Sequence, residues 1–266
     1  MLLRKLSRLG CGPINGYQGR AFVAQSEALR SLLVPVPDDA DDVCPVCRSW
    51  RPIRARYCSN CVQAQEELSL PCACIIPISL YRRPSQLRDL LKYYKPGAEE
   101  YHVDYGKYLA IILKRFWIEQ RDRLLNVIGD YSMVLTVPSS RGEAHPLNAL
   151  VKEAGLVTVS VDDVLRRGPG QLGRRIMSDD AFVTTRSISG ERILLVDDVF
   201  TTGSRAQSAA SALQIAGGTV PAIMVLARRI NPEFNSTAST VWHRQESIDF
   251  DFTTSLAWLH GSDARG

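Results

Sequence analysis

From about residue 70 onward, short apolar runs alternate with stretches of helical spacing. Residues 133–138, 157–165, 192–199 and 220–227 are rich in Val, Leu and Ile and have the length of strands buried on both faces, as in a parallel sheet. Between them, Tyr105, Tyr108, Leu109, Ile112, Phe116, Leu124 and Ile128 mostly follow helical spacing, and Gly129 is placed to stop that helix. Residues 147–154 before Gly155 and 204–216 before Gly217 read as two further helices closed by glycine in the left-handed conformation. Strands alternating with helices specify an α/β fold with a parallel sheet flanked by helices. A strand over residues 70–78 would place Cys72 and Cys74 on one face, as core residues or, alternatively, as a second metal site.

Ahead of this region the pattern differs. A short helical stretch around residues 26–33 is followed by Pro35, Pro37 and the acidic run Asp38, Asp39, Asp41 and Asp42, which reads as a linker. The cysteine pairs follow. The expected organisation is an N-terminal extension and acidic linker over 1–43, a cysteine module over 44–69, a main domain over 70–230 and a C-terminal extension over 231–266. That last stretch is polar and weakly patterned and takes no assignment, apart from the apolar Val241-Trp242 and 256–259.

Composition narrows the class without naming it. Over 266 residues, 45% apolar and 23% charged content excludes wholesale disorder, a collagen repeat and a disulfide miniprotein. A net charge of +4 is too small to mark a nucleic-acid binder unless basic residues cluster locally. No run approaches the roughly 18 apolar residues of a membrane span, and the basic residues 1–11 lack the apolar core of a secretory signal. Seven cysteines, four of them in C-x-x-C pairs, suit metal binding in a reducing compartment, so a cytoplasmic location is expected.

Candidate chemistry concentrates in Ile193-Leu194-Leu195-Val196-Asp197-Asp198-Val199-Phe200-Thr201-Thr202-Gly203-Ser204. An apolar strand carries two adjacent carboxylates to its C-terminal end, where open α/β sheets bind ligands. Backbone N–H groups at the start of the next helix, with the Thr201, Thr202 and Ser204 hydroxyls, would form a nest for a phosphate dianion. The carboxylates would then face ribose hydroxyls. The bland alternative is a strand followed by a capped helix, which accounts for one of the three hydroxyls but not for two acids at a strand end. Gly106-Lys107 is followed by Tyr108, so no Walker loop is present. Gly168-Pro169-Gly170-Gln171-Leu172-Gly173 matches a dinucleotide fingerprint, but Pro169 and a poor following helix favour a mobile loop. Arg166, Arg167, Arg174 and Arg175 flank it and would either close over an anionic substrate or remain solvated.

Cys44-Pro45-Val46-Cys47, ten residues, then Cys58-Ser59-Asn60-Cys61 has the spacing of a four-thiolate zinc ribbon. Zn2+ would hold together a segment too small to bury a core of its own. Between the pairs lie Arg48, Trp50, Arg51, Arg54, Arg56 and Tyr57, a basic and aromatic set able to contact single-stranded nucleic acid, or simply to dock on the chain's own domain.

The segment Val196-Asp197-Asp198-Val199-Phe200-Thr201-Thr202-Gly203 resembles the signature of type I phosphoribosyltransferases. A cysteine module followed by this domain is similar to the ComF family of amidophosphoribosyltransferase-like competence proteins, over roughly residues 44–230. Tyr81, residues 87–92, Val137-Pro138-Ser139-Ser140, Asn148 and Asp180-Ala181-Phe182 extend the likeness. The resemblance implies a type I phosphoribosyltransferase-like parallel sheet with a small N-terminal zinc ribbon. It further implies binding of 5-phosphoribosyl-1-pyrophosphate with Mg2+, and transfer of phosphoribosyl to a nitrogen acceptor. In that scheme Asp197 and Asp198 hold the ribose hydroxyls, Thr201, Thr202, Gly203 and Ser204 hold the 5-phosphate, and Ser139, Ser140 and Arg141 stand in the pyrophosphate loop. The alternative it implies is a non-catalytic accessory that senses a nucleotide or sugar phosphate and contacts single-stranded DNA or a protein partner. Two departures stand out: His145-Pro146-Leu147 precedes Asn148 where the family tends to show Arg-Gly-Phe, and Arg205 stands where Thr is usual.

Overall fold

The computed structural model describes residues 16–138, 146–156 and 164–259. Its centre is a parallel sheet of β1 (Ile75–Tyr81), β2 (Met133–Thr136), β5 (Arg192–Phe200) and β6 (Thr219–Arg229) in the order β1-β6-β5-β2. Because all four strands run the same way, their carboxyl ends share one edge of the sheet. The expected α/β class is the class observed. Three of the four strands expected in the sheet, over 133–138, 192–199 and 220–227, are found there.

Alternation along the strands divides the apolar side chains into two layers. Ile76, Ile78, Val134, Leu194, Val196, Ala222 and Met224 face one layer, covered by α3 (Gln86–Tyr93), α4 (Val103–Ile128) and α5 (Leu147–Glu153). Ile75, Met133, Leu135, Ile193, Leu195, Ile223 and Val225 face the other, covered by α6 (Ser204–Ile215) and the cysteine segment. The small residues Ala206, Ala209 and Ala210 let α6 lie close against the strands. Burial on both faces is why these strands read as continuous apolar runs. Glycines end the helices as the pattern predicts: Gly129, Gly155 and Gly217 follow α4, α5 and α6 with φ of 74°, 77° and 89°.

Several expectations need correction. The strand near the cysteines begins at Ile75, not at residue 70, because the Cys72 N–H and C=O pair with the Gln207 side chain of α6 (2.8 and 2.9 Å) and not with a neighbouring strand. Of the run 157–165, residues 157–163 lie outside those described, and β3 (Leu165–Arg167) pairs antiparallel with β4 (Phe182–Thr184) in a separate two-stranded sheet. The segment joining these strands is no free loop. Gly168 and Gly170 donate to the carbonyls of Ala181 and Asp180, Gln63 of α2 (Ser59–Glu67) donates to the Arg175 carbonyl, and Ser211 donates to Asp179.

At the chain's start, the helix expected at 26–33 is longer and earlier: α1 (Gly16–Leu29) with a 3-10 turn at Arg30–Leu32. Beyond it, Leu80 N–H donates to Val34 C=O, so this segment covers the free edge of β1. The unassigned C-terminal residues fold as α7 (Ser236–Glu246), capped by the Asn235 side chain, and a set of turns that buries Phe250, Phe252, Leu256 and Trp258 in the α4 layer. No helix among the described residues is long and apolar enough to cross a membrane.

Replacing Gln207 with Ala leaves the buried Cys72 N–H and C=O without their partners. An unmet buried polar group costs about 1–3 kcal/mol, so Gln207→Ala is expected to lower the urea midpoint accordingly, at an unchanged slope.

Candidate functional site: an acid pair and a phosphate-sized turn

β5 brings Asp197 and Asp198 to the carboxyl edge, each only 1% exposed. Two adjacent ionised carboxylates at this depth require partners. Arg205, on the first turn of α6, supplies Nη2 to Asp197 Oδ1 at 2.5 Å and to Asp198 Oδ1 at 3.3 Å. On its other side, Asp198 Oδ2 accepts from the Tyr94 hydroxyl at 3.0 Å and pairs with Lys95 Nζ. Tyr94 and Lys95 directly follow α3, whose Leu87, Leu90 and Leu91 anchor it on the sheet and whose first turn is capped by Ser85. Arg205 and Lys95 together therefore supply the positive charge that the acid pair meets.

These contacts shift proton affinities in opposing ways. Burial lifts the Asp197 carboxyl from 3.8 to about 6; Arg205 opposes the rise and Asp198 adds to it. Burial, and then Asp198, push the Tyr94 phenol far above its ordinary value, so it remains a donor. The Arg205 guanidinium is held more firmly charged, first by Asp197.

After Phe200 the chain turns through Thr201 and Thr202 to Gly203, at φ +86°, where α6 begins. A Cβ at Gly203 would overlap the Phe200 ring, so both the backbone angle and the close approach require glycine. The Thr202 and Ser204 hydroxyls lie 3.1 Å apart, and Ser204 Oγ donates to the Arg174 carbonyl at 3.1 Å, tying the β3–β4 connection to the turn. Together Thr201, Thr202, Gly203, Ser204, Arg83, Arg174 and Arg229 line a cavity of about 680 Å³. Arg83 follows β1 and Arg229 ends β6, so three separate elements each deliver a cation to the start of α6. Burial, then repulsion from Arg83 and Arg174, lowers the proton affinity of Arg229. A helix start surrounded by crowded cations favours an anion with several acceptor oxygens.

The expected pyrophosphate-loop residues Ser139, Ser140 and Arg141 lie outside the described residues. Asn148, also part of the likeness, accepts from Thr136 at the end of β2, at the same edge of the sheet. Arg83 and Arg229 escape a motif reading because neither lies near the acid pair in sequence; only the parallel strand order brings β1 and β6 alongside β5. Of the four arginines flanking the glycine-rich segment, Arg174 reaches the cavity, whereas Arg167 turns back to donate to the Ala181 and Gly170 carbonyls.

The four expected zinc ligands form one buried cluster. Cys44, Cys47, Cys58 and Cys61 place all four Sγ atoms within 4.8 Å of one another. Tetrahedral zinc with bonds of about 2.3 Å sets its sulfurs roughly 3.8 Å apart, so the donor set and its spacing fit Zn2+. The Cys47 thiol is held well below its ordinary value, first by Cys44, then by Cys58, Cys61 and the Arg228 guanidinium. Cys72 and Cys74 stand apart from this set: the Cys72 thiol contacts the Cys74 and Val220 carbonyls, and burial pushes it up to about 12.

Between the knuckles, Arg48 and Arg51 follow the docking alternative and turn inward, not outward as an open basic surface. Arg48 is 4% exposed, pairs with Asp39 at 2.5 Å and lies over the Trp258 ring. Arg51 donates to the Val43 and Ala55 carbonyls inside the module. Arg54 and Arg56 stay exposed.

No family model matches this chain, and no curated protein matches it. Among solved structures it is similar to adenine phosphoribosyltransferase from Trypanosoma brucei in complex with AMP, pyrophosphate and ribose 5-phosphate. The TM-score is 0.33 at 14% identity, over 55% of this chain and 81% of that one.

Two outcomes follow from this geometry. Elemental analysis of the purified chain is expected to find about one zinc per molecule, and strong chelation to lower the melting temperature as the cluster loses its metal. The folded chain also holds a proton on Asp197 more tightly than the unfolded chain, so this group's contribution to stability falls as pH rises from about 4 to 6, and its cost is complete above that. Asp197→Asn carries no such charge. Its stability relative to the parent is expected to rise by on the order of 2–3 kcal/mol between pH 4 and pH 7 in urea titrations.

Proposed function

We propose that this chain binds a 5-phosphorylated pentose at the carboxyl edge of its sheet, and that 5-phosphoribosyl-1-pyrophosphate is the ligand that matches its signature. The observation that carries this reading is the convergence of Arg83, Arg174 and Arg229 on the turn Thr201–Ser204 at the start of α6. The 5-phosphate sits on the turn, hydrogen-bonded by its N–H groups and by the Thr201, Thr202 and Ser204 hydroxyls, with the arginines balancing its charge. Asp197 and Asp198 lie on β5 just before it, and take the ribose hydroxyls and the Mg2+ that accompanies pyrophosphate.

For transfer, a nitrogen nucleophile displaces pyrophosphate at ribose C1, and the protein's part is to position the sugar and to stabilise the leaving anion. Before the acid pair can engage ribose or Mg2+, Arg205 and Lys95 must release it. This closed state favours a second reading: a non-transferring protein that senses the sugar phosphate, with Zn2+ in the cysteine module and a protein or single-stranded nucleic acid as partner. Arg54 and Arg56 are the exposed basic residues the module offers for that contact.

Calorimetry with ribose 5-phosphate and with 5-phosphoribosyl-1-pyrophosphate tests the binding site. Joint replacement Arg174→Ala with Arg229→Ala is expected to weaken both ligands at least tenfold, and a parent chain that binds neither would end the proposal. A pyrophosphate-release assay separates the two readings. Mg2+-dependent release that is lost in Asp198→Asn and increased in Arg205→Thr supports transfer, whereas binding with no release in either the parent or Arg205→Thr supports the sensor.

A further inference from the structure

Arg228, the penultimate residue of β6, is 2% exposed and among the largest fully enclosed side chains of the molecule. Its guanidinium lies between two features that are distant in sequence. Nη2 donates to Cys47 Sγ at 3.6 Å, and Nη1 donates to the carbonyls of Phe200 at 2.9 Å, Thr201 at 2.6 Å and Arg229 at 2.9 Å. Resting on the phosphate reading above, we infer that Arg228 is a positioning residue that couples the cysteine centre to the phosphate-binding turn.

The argument has two steps. A guanidinium so enclosed needs compensating negative charge, and three carbonyl dipoles supply only part of it. Four thiolates around one Zn2+ carry a net double negative charge, so the loaded centre supplies the rest and fixes where the guanidinium sits. In a planar trans peptide, the N–H points opposite to the C=O. Drawing the Phe200 and Thr201 carbonyls toward Arg228 therefore turns the Thr201 and Thr202 N–H groups the other way, as donors for a phosphate. The metal centre never touches the ligand; it acts by holding the carbonyl side of the turn.

The test uses the full chain, ribose 5-phosphate as probe and three readouts: zinc content, affinity by calorimetry, and hydrogen exchange across residues 199–205. Arg228→Lys keeps the charge but loses the fork that reaches sulfur and carbonyls together. It is expected to retain about one zinc, to weaken ribose 5-phosphate at least tenfold and to speed exchange in the turn. Removing zinc from the parent chain is expected to produce the same weakening and the same faster exchange, a measurement that stands even if the variant fails to fold. Parent-like affinity in folded Arg228→Lys, or unchanged affinity and exchange on zinc removal, overturns the coupling while leaving the phosphate reading intact. A parent chain that binds no ribose 5-phosphate, with or without zinc, removes both.

Discussion

The enclosed guanidinium of Arg228 is the constraint around which this molecule closes. Most other buried positions of the sheet are apolar; the acid pair of β5 and Ser79 of β1 are exceptions. Arg228 instead ties β6 to the cysteine cluster on one side and to the turn after β5 on the other. An apolar residue of similar volume would fill the space, and such replacements of buried ionic groups are often neutral or stabilising in other proteins. What it could not do is fix the peptide orientation of residues 200–201. The arginine is therefore better understood as setting conformation than as adding stability.

The neighbouring residue makes the contrast plain. Arg229 follows directly in the chain yet opens into the cavity, where burial and the charges of Arg83 and Arg174 work against its own. One arginine meets compensating groups and the next meets more cations. Crowded like charges are costly unless a ligand relieves them, so a pocket of this kind is preorganised for an anion and most stable when filled.

Much of the frame was legible from residue pattern. The runs that became β2, β5 and β6 declare themselves because burial on both faces leaves few polar positions before their carboxyl ends, and the helix ends declare themselves through Gly129, Gly155 and Gly217, each of which adopts the positive φ that glycine tolerates. The cysteine spacing likewise led directly to a buried four-sulfur cluster. Tertiary pairings were not legible. Nothing local marks Lys95 and Tyr94 as partners of the acid pair, because they follow α3, far earlier in the chain, while Arg205 reaches back to the acids from the first turn of α6. For Arg48 and Arg51 the sequence leaves a solvent-facing basic surface and docking on the chain's own domain both open, because charge density says nothing about direction; each donates inward. Phe250, Phe252 and Trp258 lie in turns with no period to find, and Trp242 stands on the largely polar helix α7, although all four complete two of the apolar clusters.

The closed acid pair bears most directly on what the site can do. Arg205 and Lys95 offer Asp197 and Asp198 internal cations, and a ligand bringing Mg2+ or ribose hydroxyls must compete with them. A ligand that requires the open arrangement binds with an apparent affinity reduced by the fraction of molecules in which that arrangement is populated. A phosphate on the turn asks for no such opening, since Arg174, Arg229 and the start of α6 already face the cavity. The two parts of the site therefore differ in readiness, the cation-lined turn open and the acid pair latched. Opening the latch frees Arg205, a fourth arginine lining the cavity beside Arg83, Arg174 and Arg229, to meet a ligand. A ligand anionic at both ends would draw Arg205 away from the carboxylates while offering them Mg2+ in exchange, whereas a monophosphate has no charge at its far end with which to do so. On these grounds the proposed ligand phosphorylated at both ends of the sugar, more than the monophosphate, is suited to open the acid pair, and the identity of residue 205 decides how much of its binding energy that opening consumes.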